Sequence, residues 1–420
     1  MFKPLHVLLD KVDTQGTLSV ETSDGAVHRF GNGAAPRVAM RLADRRLERQ
    51  LALTPQLAVG EAYMDGRLVM LEGRIYDLVA LVLENAMRHP LLRWALAADG
   101  LRYLTRRVAQ YNPASRARRN VAHHYDIDGR IYDLFLDPER QYSCAYFAAA
   151  DDDLDEAQRA KIRHIAAKLA LEEEHRLLDI GSGWGGLALN LAAMTGCEAT
   201  GITLSTEQLA HARTWAAKRG LAQRVRFDLA DYRRLAGRFD RVVSVGMFEH
   251  VGINHYATFF TALRDLLTED GVALVHFIGR ADRPAATNAF IARHIFPGGY
   301  IPALSEVTPA IDHSGLIVTD IEVLRLHYAM TLRHWRQRFL ARWDEASRIQ
   351  GERFCRMWEF YLAGSECAFR YQKLVVYQIQ LTRGIGTLPI VRDYMGAAER
   401  AFIEREHAAG PGRSTRRAGE

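Results

Sequence analysis

The sequence predicts an α/β protein, with a doubly wound, mostly parallel sheet in its larger part and a small α+β module in front of it. Three observations carry this. From Leu177 onward, apolar runs of strand length alternate with helical segments. A glycine-rich turn directly follows the first of these runs. The opening hundred residues show a different pattern, a hairpin signal followed by amphipathic helices.

The chain has 420 residues, enough for two or three domains. In the first, Thr17 to Gly31 alternates apolar and polar residues around Asp24-Gly25, which predicts a hairpin. Met40 to Leu53 has helical apolar spacing, with Arg41, Arg45, Arg46 and Arg49 on its other faces, and a second apolar helix follows from Ile75. Arg102, Arg106, Arg107, Arg116, Arg118 and Arg119, interrupted by Asn112-Pro113, read as a linker. The boundary is therefore drawn after residue 110. Residues 111–405 form the α/β domain, and 406–420 read as a disordered tail.

In the α/β domain the expected strands are 176–181, 197–202, 224–229, 239–246, 271–278, 316–324 and 373–383. Such a sheet binds its ligand at the carboxyl ends of the strands. The stretch from Arg280 to His313, which carries PGGYIP, is long enough to read as a lid.

Composition narrows the class. Hydrophobic residues at 48% and charged residues at 25% match globular averages, so collagenous and disordered chains are excluded. No run approaches the roughly 20 apolar residues that span a bilayer, so membrane contact is expected to be peripheral. The amino terminus does not read as a signal peptide, and the four cysteines lack the C-x-x-C spacing of a metal site, so a cytosolic chain without a metal is expected. The net charge of +5 suits an anionic partner, phospholipid or nucleic acid.

The sharpest local signal is Asp179-Ile-Gly181-Ser-Gly183-Trp-Gly185, set between a strand and the helix LALNLAAM. Its glycines allow close backbone approach, and the helix start offers free N–H groups. By itself this motif fits S-adenosylmethionine, a nicotinamide or flavin, or a structural tight turn. A dinucleotide site expects an acid at the end of the second strand; Gly201-Ile202-Thr203-Leu204-Ser205 has none. Asp231-Tyr232 after the third strand offers an acid and a ring for an adenine, or is a surface turn.

Nine segments together resemble one family: HHYDIDGRIYDLFLDP, QYSCAYF, LLDIGSGWGGLAL, GITLSTEQ, DYRRL, SVGMFEHVG, HFIG, PGGYIP and HYAMTLRHW. The resemblance is to the cyclopropane-fatty-acyl-phospholipid synthases and the related mycolic acid cyclopropane synthases, and it spans about residues 120–383. It implies a Rossmann-like S-adenosylmethionine-dependent methyltransferase that cyclopropanates unsaturated phospholipid acyl chains. It further implies a bicarbonate held by groups that map to Cys144, Glu249, His276, Ile278 and Tyr328. The implied cofactor residues are Tyr142, Ser143, Asp179, Gly181, Gly183, Thr203, Leu204, Gln208, Asp231 and Tyr232. Where the family often has cysteine this chain has Ser182 and Ser365, and Cys367 is not implied to be catalytic.

The resemblance also makes the N-terminal module a membrane-engaging or dimerising domain, the partner a phospholipid bilayer at the inner face rather than nucleic acid, and a homodimer the expected assembly. Phe147, Phe248, Phe296, Tyr300 and Ile301 are candidates to line an acyl channel. Two alternatives remain: a fatty-acyl C-methyltransferase giving a methyl or methylene branch, and an inactive lipid-binding relative.

Overall fold

The computed structural model describes residues 1–12, 15–88 and 127–408. The arginine-rich linker, the boundary after residue 110 and most of the expected tail lie outside the described residues. So does the first part of HHYDIDGRIYDLFLDP.

In the N-terminal module, helix α1 (Lys3–Val12) precedes strands β1 (Thr17–Glu21), β2 (Val27–Gly31) and β3 (Arg37–Leu42). Helices α2 (Arg45–Leu53) and α3 (Pro55–Met64), strand β4 (Leu68–Glu72) and helix α4 (Ile75–Arg88) complete it. The hairpin forms as expected: β1 and β2 pair antiparallel, with Gly25 in the turn at φ +80°. The sheet order is β2-β1-β3-β4.

The helix expected from Met40 is shorter than its pattern. Met40 and Arg41 belong to β3, whose alternate side chains Val38, Met40 and Leu42 are buried, and the helix starts only after the Asp44 cap. Period-two burial outcompetes helical spacing here, because β3 is sandwiched between β1 and β4. Arg41 consequently pairs across the sheet with Glu21 at 2.8 Å.

The second sheet has seven strands: β5 (Arg176–Ile180), β6 (Glu198–Thr203), β7 (Val225–Leu229), β8 (Phe239–Val245), β9 (Leu267–Arg280), β10 (Ile317–Leu324) and β11 (Leu374–Thr382). All seven expected strands are present, in the order β10-β11-β9-β8-β5-β6-β7. The run from β9 to β7 is parallel, and β11 is antiparallel to both its neighbours. The order in which the strands are laid down reverses between β5 and β8, so the crevice at their carboxyl ends is the topological switch point.

Helices α5 (Gly129–Asp133), α6 (Leu154–Lys168), α7 (Gly186–Thr195), α8 (Thr206–Lys218), α9 (Tyr256–Leu266) and α10 (Leu304–Ser314) flank or precede the strands. Further along come α11 (His327–Ala341), α12 (Trp343–Gln350), α13 (Glu352–Tyr371) and α14 (Asp393–Ala408). Because α14 runs to Ala408, residues 406–408 are helical rather than the start of a tail. The stretch expected as a lid is largely packed: it contains α10, and Phe290 within it is 1% exposed against Phe360.

The two modules meet along α13. Tyr63 Oη donates to Glu359 Oε2 at 2.5 Å, and Arg353 pairs with Asp65 at 2.8 Å. Gly60 on α3 lies so close that an added Cβ would stand 2.3 Å from the Phe290 ring. Met64 of the N-terminal module joins the aromatic cluster of the α/β domain.

Candidate active site

The cavity opens where the switch point predicts, at the carboxyl ends of β5, β6, β7 and β8. Every residue expected to hold the cofactor lines it: Tyr142, Ser143, Asp179, Gly181, Gly183, Thr203, Leu204, Gln208, Asp231 and Tyr232. Sequence reading did not single out Arg140, Gln141, Trp184, Arg233, Gly246, Met247 and His250, which line it as well. Two of these had a weak signal, since Trp184 sits inside the glycine turn and His250 beside Glu249. The others are brought in by the fold.

The glycine turn works as a cradle. Gly181, Gly183 and Gly185 all have positive φ, and a Cβ at Gly183 would meet nothing within 4 Å. Gly186 has the opposite need: a Cβ there would lie 2.2 Å from the carbonyl oxygen of Glu139. The first opens space for a ligand, and the second lets α7 pack.

The polar groups of the cavity fit a charged amino-acid-nucleoside ligand. Asp179 Oδ2 and Ser182 Oγ are buried without a hydrogen-bond partner among the described residues. Burial pushes the Asp179 carboxyl up to about 7, opposed by the Lys161 charge. Thr203 Oγ1 donates to Gln208 Oε1 at 2.9 Å, which orients the amide at the end of β6. Arg233 holds Asp231 at 2.5 Å and keeps its carboxyl below the usual range despite burial.

The other residue set lies beside this cavity. Glu249 sits in a short 3₁₀ turn after β8, between cavity residues Met247 and His250. Its Oε1 accepts the Ile278 N–H at 2.7 Å, while Oε2 is buried without a partner among the described residues. Burial pushes this carboxyl up to about 7, with the Ile278 bond opposing. His276 stands two residues before Ile278 on the same face of β9, and Gln378 Nε2 donates to its Nδ1 at 3.2 Å. Burial pushes the His276 imidazole well below its ordinary value.

Cys144, Ile278 and Tyr328 share one aromatic cluster with Phe147 and Phe296. Burial raises the Cys144 thiol far above its ordinary value, so it is not a nucleophilic thiolate. Tyr328 packs on Phe369 and Trp335 at the start of α11. The structure thus joins Glu249 and Ile278 directly and gathers Ile278, Tyr328 and Cys144 in one apolar wall, with His276 next along β9.

The expected acyl-channel residues separate. Phe147 and Phe296 lie in that wall, whereas Phe248 and Tyr300 are packed with Phe259 and Phe277 in the core on the other side of the sheet. Large aromatics fill the sheet core first, which a sequence cannot distinguish from lining a channel.

The sequence pattern of the mycolic acid cyclopropane synthetase family matches residues 113–379, and a domain pattern of unknown function matches 5–89. A probable fatty acid methyltransferase of Pseudomonas putida is 37% identical over 82% of this chain and 86% of its own length. The cyclopropane-fatty-acyl-phospholipid synthase of Escherichia coli K12 is 35% identical over 84% of this chain and 90% of its own. A crystal structure of a mycolic acid cyclopropane synthase complexed with SAH and CTAB superposes with a TM-score of 0.60. It is 34% identical and is matched over 99% of its length, covering 65% of this chain.

Proposed function

The chain belongs to the mycolic acid cyclopropane synthetase family and is an S-adenosylmethionine-dependent lipid methyltransferase; from this we propose that it converts cis-unsaturated phospholipid acyl chains to cyclopropane chains. The observation that carries the finer reading is Glu249, a buried carboxyl with one oxygen unpartnered among the described residues, whose neighbours Met247 and His250 line the cavity and whose partner Ile278 packs against the aromatic wall.

When bound, S-adenosylmethionine supplies an electrophilic methyl group. Asp179 would meet the ligand's ammonium, the turn of Gly181 and Gly183 would take its amino-acid end, Thr203 and Gln208 its ribose, and Asp231 with Tyr232 its adenine. Tyr142 and Ser143 close the cavity on the side of the apolar wall.

Transfer of the methyl to an alkene would break its bond to the sulfonium sulfur, release S-adenosylhomocysteine and leave positive charge on the lipid, and ring closure would then require loss of one methyl proton. Apolar side chains cannot take it. Glu249 Oε2, without a partner among the described residues, together with the imidazole of His276 and the hydroxyl of Tyr328, would hold a small anion such as bicarbonate, whose chemistry there would be that of a base. In this reading Glu249 holds the anion's proton-bearing oxygen, Ile278 keeps Glu249 in place through its N–H, and the apolar wall excludes water from the cation.

The test incubates the purified chain with unsaturated phospholipid vesicles, S-adenosylmethionine and bicarbonate. Acyl chains heavier by one CH2, with upfield cyclopropane protons, are expected. A second reading, a methyl or methylene branch, is favoured by the likeness to the Pseudomonas putida fatty acid methyltransferase. It would show in the same spectra as the corresponding mass gain without cyclopropane protons.

The reading extends to a bilayer as partner. Arg46 and Arg49 are exposed on α2 and suit an anionic headgroup layer, with a peripheral contact in keeping with the described helices, none of which is long and apolar enough to cross a membrane.

A further inference from the structure

We propose that Lys161 is a positioning residue for the reaction, holding the 141–144 turn in the shape that closes the cofactor cavity. The inference rests on the reading that this cavity takes S-adenosylmethionine.

Lysine is among the residues least often buried, and Lys161 on α6 is 0% exposed. A side chain placed there only to fill space would be apolar, because an ammonium in the interior must be paired. Its Nζ donates to Gln141 Oε1 at 2.9 Å and to Ser143 Oγ at 2.8 Å. One helical turn earlier, Gln158 Nε2 donates to the backbone oxygens of Ser143 at 3.1 Å and Gln141 at 3.3 Å. Helix α6 therefore grips the turn by side chain and by backbone. On the far side, Ala145 N donates to Thr331 Oγ1 of α11 at 3.0 Å, so Cys144 is fixed between two anchors.

The gripped residues face the chemistry. Gln141, Tyr142 and Ser143 line the cavity, and Cys144 belongs to the apolar wall. The ammonium is surrounded by titratable groups from each neighbouring element: Asp137 from the segment before the turn, Cys144 from the turn, Asp179 from β5 and His276 from β9. It is thus the cation common to the cofactor-facing acid and to the turn. Burial brings the Lys161 ammonium down to about 8, with Asp137, Cys144 and Asp179 opposing. Above that pH the lysine loses the charge that orders both.

The test compares the full chain with Lys161→Met, nearly isosteric and uncharged. Calorimetry gives the dissociation constant for S-adenosylhomocysteine, rapid quench the single-turnover rate at saturating cofactor, and thermal unfolding the integrity of the fold. The expected result is a folded K161M that binds at least tenfold more weakly and turns over at least tenfold more slowly. The gap in affinity should narrow above pH about 8, where the unaltered lysine also loses its charge; a merely structural lysine would not produce this narrowing. A folded K161M within twofold of the unaltered chain in both readouts overturns the proposal.

Should K161M not fold, Gln141→Met keeps the ammonium and removes one anchor. Three- to tenfold weaker binding by that variant supports the proposal, and unchanged binding overturns it. Failure of the unaltered chain to bind S-adenosylhomocysteine overturns the reading of the cavity as well, which separates the two.

Discussion

At the scale of single residues, the role proposed for Glu249 carries a cost in stability. Glu249 is buried and its folded-state carboxyl titrates near 7, above its ordinary 4.5. The native state therefore binds more protons than the unfolded chain between those values, and this residue's contribution to stability falls as pH rises through that window. The penalty reaches the order of 1–3 kcal/mol above pH 7. Glu249→Gln should lose at least a hundredfold in turnover, yet in urea at pH 8 it should be no less stable than the unaltered chain. At pH 5 its relative advantage should vanish. Full turnover by this variant would remove Glu249 from the chemistry. The two glycines offer a matched pair. Gly183→Ala, at φ +55° with open space before it, should weaken cofactor binding tenfold or more for about 1 kcal/mol of strain. Gly186→Ala, whose Cβ would strike the Glu139 carbonyl, should instead lose stability first, as a lower unfolding temperature. The glycine turn was legible because its spacing is local. Lys161 was not, because nothing in its sequence neighbourhood distinguishes a buried lysine from a solvated one.

At the scale of elements, the strands of the large sheet were legible because parallel strands buried on both faces leave continuous apolar runs, as in Leu177-Leu178 and Val272 to Val275. Strand β3 was not, because Met40 to Leu53 satisfies a helical spacing on its own and only pairing with β1 and β4 selects the extended form for its first part. The packing of α3 against α13 was equally invisible. It depends on Tyr63 reaching Glu359, 296 residues later in the chain. Tyr63→Phe leaves that buried carboxyl without its donor, so a loss of about 1–2 kcal/mol is expected in chemical denaturation. Glu359→Gln, which keeps an acceptor, should lose less. Equal stability of Tyr63→Phe and the unaltered chain would show that the contact does not hold the modules together.

At the scale of the whole molecule, the basic balance and exposed arginines predict salt-dependent attachment to membranes. Vesicles containing anionic phospholipid should carry the chain in flotation at low ionic strength and release it near 0.5 M salt, each arginine near the surface contributing about 1 kcal/mol. Binding that persists unchanged in high salt would point to apolar insertion instead. The sequence alone determined the seven strands of the large sheet, the glycine turn and, through nine separate segments, the family, since each depends on neighbours within one or two elements. Only the tertiary structure decided that Glu249 accepts from Ile278, that Phe248 and Tyr300 are core rather than channel, and that a buried lysine on α6 grips the turn beside the cofactor cavity. Those facts depend on which faces meet across long sequence separations, and burial there sets both the partner and the charge of each group.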